Sequence, residues 1–422
     1  MKKILLTLLV CLLIGTTASA EKVLTLWHGW TGTRTALVRE VLDRFEAAHP
    51  GVKVVDSVYD PNQLGERLIA AVVAGVAPDV CMVGNDPYLG EKGALLALNE
   101  LSVTNYGAEL ADLIYPSVLD QVTYDGQVYY LPKLMGTHHL IYYNRDLFAE
   151  AGLDPDQPPT THSELFTVAQ RLTQKSPDGN LMMLGVNVTG HGAMNRAYNL
   201  LTYLEQWGST LISLDDEPLP DFQRAVDVLT WMLDFDQRLA GNAAESANFI
   251  NRNGGYLQAM INDRLAMFTG ADYAYYEIMS NSPTYPIGMA LRPRPDGEPI
   301  RTSVDPAWGY GIPAGTKDVE LAWELLKWVA VAPEGGAWFI QQQGRVSTSP
   351  AANADPINFE LHPYWPVIIS AVEHSVVLSR RGVFDMNVVG SAVERAMKGE
   401  EAPGNALLKL REELQFLLEE GR

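Results

Sequence analysis

The sequence contains little cysteine and few basic residues, and both shortages restrict what the protein can do. Two cysteines occur among 422 residues, so at most one disulfide could form, between Cys11 and Cys81. Lys and Arg number 31 against 51 Asp and Glu, which gives a net charge of −20. A strongly acidic protein repels nucleic acid and anionic membrane surfaces, and we therefore expect neither as a partner.

The sequence also lacks the short motifs of common hydrolases and nucleotide-binding enzymes. No Gly-x-Ser-x-Gly elbow, P-loop or His-Glu-x-x-His segment occurs. Paired carboxylates, which a glycoside hydrolase needs, are unavoidable among 51 acidic residues and discriminate nothing. We expect a protein that is not an enzyme and has no cofactor, with an exported glycan-active enzyme as the less favoured alternative.

Metal binding has little support in the histidine pattern. His138 and His139 form the one adjacent pair among the 8 histidines. Neighbouring residues on an extended segment point to opposite faces, so the two rings cannot share one ion. No second cluster supplies ligands at metal-binding spacing, and we expect no metal site.

The N-terminus combines positive charge, a short apolar run and small residues. Two lysines precede the run from Ile4 to Ile14, and Ala18-Ser19-Ala20 follows it. This order is typical of a secretory signal peptide, and the run is shorter than the ~20 apolar residues of a membrane span. We predict that residues 1–20 are removed, which leaves Cys81 as a lone core cysteine and changes the net charge from −20 to −22, because two Lys leave with the peptide. Leu8, Leu9 and Val10 before Cys11 lack the small residue typical of lipid attachment, so we expect a freely diffusing periplasmic protein.

Strand-like and helix-like spacings alternate in the first part of the chain. Val23–Trp27 and 78–83 have the pattern of buried strands, and Leu37, Val41 and Phe45 line one helical face between them. This alternation is typical of βαβ units with a mostly parallel sheet. Further helical stripes run from Phe222 to Leu233, after a capping Asp221, and through Leu407, Leu410, Leu414 and Leu417.

Several landmarks in a fixed order point to one family. The segment Ile141-Tyr142-Tyr143-Asn144-Arg145-Asp146-Leu147-Phe148 is the most specific, and Ala77–Val80, 263–270 and 308–313 stand in matching order around it. Together they resemble the extracellular solute-binding proteins of ABC importers, in the carbohydrate-binding group that includes maltose-binding protein. The resemblance covers almost the whole chain after residue 20.

The resemblance implies an α/β fold of two discontinuous lobes with a hinge and a ligand cleft between them. One lobe would hold residues 21–131 and 291–337, and the other residues 132–290 and 338–422. The implied function is to bind a sugar or oligosaccharide in the cleft and to deliver it to the permease subunits of an ABC transporter. A monomer is usual for the family.

The chemistry of sugars indicates which residues line such a cleft. A pyranose has apolar C–H faces, which aromatic rings cover, and hydroxyls that need polar partners. Residues of both kinds follow the predicted strands, where α/β sheets place ligands. The candidates at these strand ends are Trp30, Thr31, Asn85, Asp86, Gly270, Asp272, Tyr273 and Trp308. The resemblance adds weight to two of them, because Asp86 matches an acidic sugar contact and Tyr273 a stacking position of maltose-binding protein. His138, Trp207 and Arg345 are further candidates.

The charge of the ligand is a separate question. An anionic ligand such as a glycerol phosphate or a sulfonated sugar should need several cations or helix N-termini in the cleft. The cleft loops hold few cations apart from Arg34, Lys133 and Arg345. The sequence therefore favours a neutral sugar or polyol.

Overall fold

The computed structural model describes residues 21–84, 88–105, 110–213, 215–376 and 386–420. The predicted signal peptide, Asn85 and Asp86 lie outside these ranges. The strands are β1 (Lys22–His28), β2 (Val52–Val58), β3 (Val80–Val83), β4 (Thr123–Tyr124), β5 (Gln127–Val128), β6 (Leu131–Pro132), β7 (Leu134–Gly136), β8 (Leu140–Asn144), β9 (Gln174–Lys175), β10 (Leu181–Met183), β11 (Met267–Gly270), β12 (Ile287–Leu291), β13 (Asp305–Pro306), β14 (Gly309–Gly311) and β15 (Val346–Ser347).

Helices account for most of the remaining described residues. They are α1 (Thr33–Ala48), α2 (Leu64–Ala74), α3 (Tyr88–Glu91), α4 (Leu98–Asn105), α5 (Leu110–Leu113), α6 (Pro116–Val122), α7 (Arg145–Glu150), α8 (His162–Leu172), α9 (Ala193–Gln206), α10 (Phe222–Ala240), α11 (Ala243–Arg252), α12 (Gly255–Ile261), α13 (Tyr273–Asn281), α14 (Val319–Ala330), α15 (Trp338–Gln341), α16 (Pro350–Asn353), α17 (Ile357–Leu361), α18 (Trp365–Glu373), α19 (Met386–Met397) and α20 (Pro403–Glu420). A 3₁₀ turn at Pro61–Gln63 and a π-helical turn at Pro333–Ala337 complete the pattern. In the described ranges, no helix combines the length and apolar character that a membrane span requires.

The first sheet has five strands in the order β2-β1-β3-β14-β6. Strands β1, β2 and β3 are parallel, as the βαβ pattern predicts. Helix α1 buries Val38, Val41, Leu42 and Phe45, which recur at helical spacing and face the core. Cys81 on β3 is fully buried, which confirms it as a core residue.

The prediction of a mostly parallel arrangement is wrong for the rest of the molecule. Strand β14 runs antiparallel to both β3 and β6, and β8 pairs antiparallel with β11 and β12 in a second sheet. A helix between two consecutive strands predicts that these strands are parallel, but this signal exists only where βαβ units follow one another. Strands that re-enter a sheet after a long excursion carry no such local signal.

A third sheet places three connecting segments side by side. Its order is β13-β7-β15, and β7 pairs antiparallel with both neighbours. Strand β7 lies between β6 of the first sheet and β8 of the second, so the chain passes from one sheet to the other through it.

The predicted boundaries between the two lobes remain a prediction. Helix α15 packs against α1, with the Arg44 guanidinium 3.9 Å from the Trp338 ring, although the prediction assigned residues from 338 onward to the other lobe.

The predicted cap of α10 is confirmed, and the predicted apolar face of α20 is confirmed except at its last residue. Asp221 caps α10 by accepting a hydrogen bond from the backbone N–H of Arg224. In α20, Leu407, Leu410 and Leu414 are buried, and the stripe continues through Leu418 instead of the predicted Leu417. Helices α10 and α20 pack on each other, α10 also packs on α9, and α20 also packs on α19.

Candidate functional site

A cavity of about 320 Å³ opens beside the second sheet. Its walls come from α9, α12, α13 and the end of β11, together with two loop histidines. The aromatic and polar side chains in its lining are His138, His191, Asn195, Tyr198, Asn199, Tyr256, Phe268, Thr269, Tyr273 and Glu277. From the predicted set it brings together His138, Gly270 and Tyr273.

Flat rings dominate one part of the lining. The His138 and Tyr198 rings are stacked, with centroids 4.0 Å apart and planes 10° apart. His191 contacts the ring of Tyr256 edge-on at 4.2 Å, and Tyr256 lies 5.5 Å from Phe268. Such rings offer extended apolar faces at low entropic cost, because few side-chain torsions must be fixed.

Gly270 ends β11 where the strand meets the cavity. A Cβ atom at this position would lie 2.8 Å from the ring of Phe268, which is itself buried and stacked on Tyr142. A side chain would push this ring out of place, so the sequence requires glycine for close packing at the strand end.

Two polar residues of the cavity lining, Asn199 and Thr269, are hydrogen-bonded to a buried arginine. Nη2 of Arg292 donates to Oδ1 of Asn199 at 2.8 Å and to Oγ1 of Thr269 at 2.9 Å. The same guanidinium lies 3.9 Å from the centroid of the Tyr203 ring. Asn199 and Thr269 therefore have fixed orientations before any ligand arrives, which lowers the entropic cost of binding.

The cavity lining is nearly neutral. Glu277 is its one carboxylate, and neither Lys nor Arg is among its described lining residues. Burial raises the pKa of Glu277, while the charges of Arg34 and Arg345 oppose that shift. Burial, with a smaller effect of Arg196, lowers the pKa of His191 to about 4, so this ring is uncharged at neutral pH.

Asp272 and Arg345 lie beside the cavity but do not line it. The Asp272 side chain is fully buried, and a Cβ on Gly136 of β7 would lie 3.6 Å from its Oδ1. Nε of Arg345 is 3.9 Å from Oδ2 of Asp272, and the guanidinium is 5.6 Å from the Tyr273 ring. Burial raises the pKa of Asp272 and Arg345 opposes the rise. The pair therefore joins the cavity rim to the connecting strands, whereas the sequence predicted both residues as ligand contacts.

Trp30 is a core residue in this structure. Its side chain is 5% exposed, its Nε1 donates to the Tyr310 hydroxyl at 3.1 Å, and its ring lies 5.1 Å from Phe339. The prediction expected a ring free to stack on a sugar, and the partners that bury it come from distant parts of the chain. Thr31, the next residue, is exposed.

The other two predicted tryptophans occupy different surroundings. Trp308 is half-buried against the backbone of Gly84, where a Cβ would lie 3.5 Å from its ring. Trp207 lies away from the cavity and lines a separate groove of about 620 Å³ with His162 and Trp231. The structure therefore does not bring Trp207 together with His138 and Tyr273.

Sequence reasoning missed the contribution of α9. This helix supplies Asn195, Tyr198 and Asn199, whose spacing of three and four residues places them on one face. Two asparagines and a tyrosine on one helical face were a usable signal. His191 and Tyr256 come from two separate segments and carried no comparable pattern.

The described histidine and acidic side chains are not arranged as a metal site. In the part of the chain that the structure describes, no group of three or more His, Cys, Asp or Glu side chains is close enough to hold a metal ion. The His138 ring faces the cavity, whereas Nε2 of His139 contacts Glu205 at 3.1 Å and Ser303 at 3.0 Å in the interior. The two neighbouring rings thus point to opposite sides.

Comparison with known proteins identifies relatives of the chain. A family model described as bacterial extracellular solute-binding protein matches residues 40–361. The sn-glycerol-3-phosphate-binding periplasmic protein UgpB of Brucella abortus (strain 2308) is 30% identical over 170 residues, which are 39% of this chain and 39% of that protein. UgpB of Yersinia enterocolitica serotype O:8 is 30% identical over 148 residues, 33% of each chain. The matched segments thus span well under half the length of these relatives.

Solved structures match over nearly the whole chain. CpMnBP1 with mannotriose bound has a TM-score of 0.75 and 22% identity, covering 93% of this chain and 100% of that one. A solute-binding protein from Thermotoga lettingae TMO bound with α-D-tagatose has a TM-score of 0.73 and 22% identity, covering 94% and 100%. This likeness confirms the expected α/β fold of two-lobed binding proteins.

Proposed function

The chain belongs to the bacterial extracellular solute-binding proteins, and we propose that it binds a neutral sugar or oligosaccharide for an ABC importer. In this proposal it is a periplasmic monomer, released by cleavage of residues 1–20. It passes its ligand to the permease subunits and catalyses no reaction itself.

The lining of the 320 Å³ cavity is the observation that supports a neutral sugar. Flat rings of Tyr198, Tyr256 and Tyr273 can cover C–H faces, and the amides and hydroxyls of Asn199 and Thr269 can pair with ligand hydroxyls. Each buried hydroxyl left without a partner would cost about 1–3 kcal/mol, so polar groups beside the rings are what a saccharide needs.

The three side-by-side connecting strands support closure by a hinge. Because β7 pairs with β13 and β15, a small change of backbone angles at these segments would move one lobe relative to the other. A ligand that contacts both lobes favours the closed form, since only there are all its contacts made. The permease would then recognise the closed form.

A glycerol phosphate is the second candidate ligand. The Brucella and Yersinia relatives, which are sn-glycerol-3-phosphate-binding proteins, favour it. The first turns of α9, α12 and α13 line the cavity and could donate to a phosphate, but the described lining offers no Lys or Arg and includes the Glu277 carboxylate. The geometry therefore supports a neutral ligand better.

A thermal-unfolding panel tests the proposal and its alternative together. The panel contains mannotriose, maltotriose, tagatose and sn-glycerol 3-phosphate. A ligand at 100 times its Kd should stabilise the folded protein by about 2.7 kcal/mol. Stabilisation by a saccharide and not by glycerol phosphate is the expected result, and the reverse outcome would replace the neutral ligand with the anionic one.

Two tyrosines on α13 provide a matched pair of variants. Tyr273 lines the cavity, whereas Tyr276 does not, and the two are similarly exposed, at 40% and 38%. Tyr273→Ala should weaken saccharide binding about tenfold or more, because one stacking face is lost. Tyr276→Ala should leave the affinity measured by calorimetry unchanged. Equal affinities in the two variants would remove Tyr273 from the site.

A further inference from the structure

We propose that Asp236 is a positioning residue for the ligand cavity, because it fixes the 187–191 loop that supplies part of the cavity wall. The inference rests on the proposed function for its ligand readout, but its structural readout is independent of which ligand binds. Asp236 touches no part of the cavity itself and acts through Asn187, His191 and Tyr256.

Asp236 is a fully buried carboxylate on α10 that gathers hydrogen bonds from one short loop. Nδ2 of Asn187 donates to its Oδ2 at 2.7 Å, the backbone N–H of Val188 to its Oδ1 at 3.0 Å, and the backbone N–H of Thr189 to its Oδ2 at 3.0 Å. The Thr189 hydroxyl also donates to Oδ2. Three consecutive residues are thus held by one side chain.

The anchored loop is connected directly to the cavity wall. Oδ1 of Asn187 accepts a hydrogen bond from the Tyr256 hydroxyl at 3.0 Å and another from the backbone N–H of Gly190 at 2.9 Å. His191 follows at once and meets the Tyr256 ring edge-on at 4.2 Å. Both His191 and Tyr256 line the cavity. Asp236 therefore fixes the positions of two residues in the cavity wall, His191 and Tyr256.

The loop geometry leaves little freedom for an alternative arrangement. Gly190 has a φ of +91°, and a Cβ there would lie 2.6 Å from the backbone nitrogen of Arg196. On the far side of His191, its carbonyl oxygen accepts from Nδ2 of Asn251 at 3.1 Å. The backbone is thus guided on both sides of His191, and the carboxylate supplies the anchor between the loop and α10.

A carboxylate is the group that this arrangement requires. All four groups that face it are donors, and an ionised carboxylate is an acceptor only. An amide in its place would direct an N–H group at other donors and lose at least one hydrogen bond. Burial raises the pKa of Asp236 to about 6, although the hydrogen bonds from Thr189, Val188 and Asn187 oppose that shift. The group is therefore mostly ionised at pH 7 and above.

The test is Asp236→Asn, read out first through His191. Burial keeps the pKa of His191 at about 4. If the loop loses its anchor, the ring becomes hydrated and its pKa should rise by about one unit or more toward the ordinary value near 6.5. An NMR titration of the histidine rings measures this shift, with His191→Gln assigning the resonance. Asp234→Asn is the matched control: Asp234 lies on the same helix with an exposed carboxylate, and its removal should leave the His191 pKa unchanged.

The second readout is the affinity for mannotriose and maltotriose, measured by calorimetry in the same variants. Displaced walls should raise the Kd about tenfold in Asp236→Asn and not in Asp234→Asn. If Asp236→Asn does not fold, Thr189→Val takes its place, since it removes a hydroxyl that donates to the carboxylate and does not line the cavity. A His191 pKa that stays near 4, or an affinity that does not change in the folded variant, overturns the proposal. Wild-type protein that binds no saccharide would instead refute the proposed function, and the titration would still decide the role of Asp236.

Discussion

Lys133 is a buried amine in aromatic surroundings, and its replacement by methionine should stabilise the protein. Its side chain is 1% exposed, and Nζ lies 3.6 Å from the ring centroid of Phe339, 5.6 Å from Tyr310 and 5.9 Å from Trp30. Within the described ranges, Nζ has no hydrogen-bond acceptor or ion-pair partner. Burial lowers the pKa of this amine well below its ordinary value.

The expected gain follows from the cost of burying a polar group without a partner. That cost is about 1–3 kcal/mol on scales derived from protein mutants. Methionine has a similar length and an apolar body, and its sulfur makes favourable contacts with aromatic rings. Lys133→Met should therefore raise the free energy of unfolding by about 1–3 kcal/mol at pH 7, because the packing is kept and the polar cost is removed.

The pH dependence gives a second signature. Because the pKa of Lys133 is lower in the folded protein, the unfolded chain binds more protons between the folded pKa and about 10.4. In that window the free energy of unfolding of the wild type should rise with pH, by up to about 1.4 kcal/mol per unit from this group. The methionine variant lacks the contribution, so its advantage over the wild type should shrink as the pH rises from 7 to 9.

Urea denaturation at pH 6, 7.5 and 9 measures both effects. Lys317→Met is the control, since Lys317 is exposed and its replacement should change stability by no more than about 0.5 kcal/mol. If Lys133→Met lowers the stability, or if its advantage does not depend on pH, the amine is charged and paired in solution and the reasoning fails.

Three further outcomes are expected. Gly270→Ala should cost about 1–3 kcal/mol of stability in urea denaturation and weaken saccharide binding, because the added Cβ must displace the Phe268 ring at the cavity. Cys81 should resist a thiol reagent in the folded protein and react on unfolding, because burial raises its pKa to about 12; rapid labelling in native buffer would contradict this. Trp207→Ala should leave the calorimetric affinity of the cavity ligand unchanged, since Trp207 lines a separate groove.

The fold could be predicted because its evidence is local and ordered. Helical stripes such as those of α1 and α10 depend on residues three and four apart, and the family landmarks lie in β8 and β11, which pair with each other. Strand direction was predictable only within the first βαβ units. The antiparallel entry of β14 depends on a return from the second sheet, and no neighbouring residues specify it.

The candidate site was harder to predict because burial depends on distant partners. Tyr273 reaches the cavity as the first residue of α13, shortly after β11, and His138 reaches it from the segment between β7 and β8. Trp30 followed the same rule but is covered by Tyr310 and Phe339, about 300 residues further along the chain. A strand-end position therefore predicts access to a site only if no other segment packs over it.

The contacts of three cations near the predicted cleft bear on the charge of the ligand. The sequence placed three cations near the predicted cleft, and each could have met an anion. In the structure, Nε of Arg34 donates to Oε1 of Gln343 at 2.9 Å, Lys133 is enclosed by rings, and Arg345 lies 3.9 Å from Asp272. An anionic ligand would have to draw these side chains out of existing contacts, at a cost in desolvation and lost packing that a neutral ligand avoids. Arg34 is thus hydrogen-bonded, Lys133 is buried with a lowered pKa, and Arg345 lies beside a buried carboxylate. These surroundings support a neutral sugar more strongly than the small number of cations did.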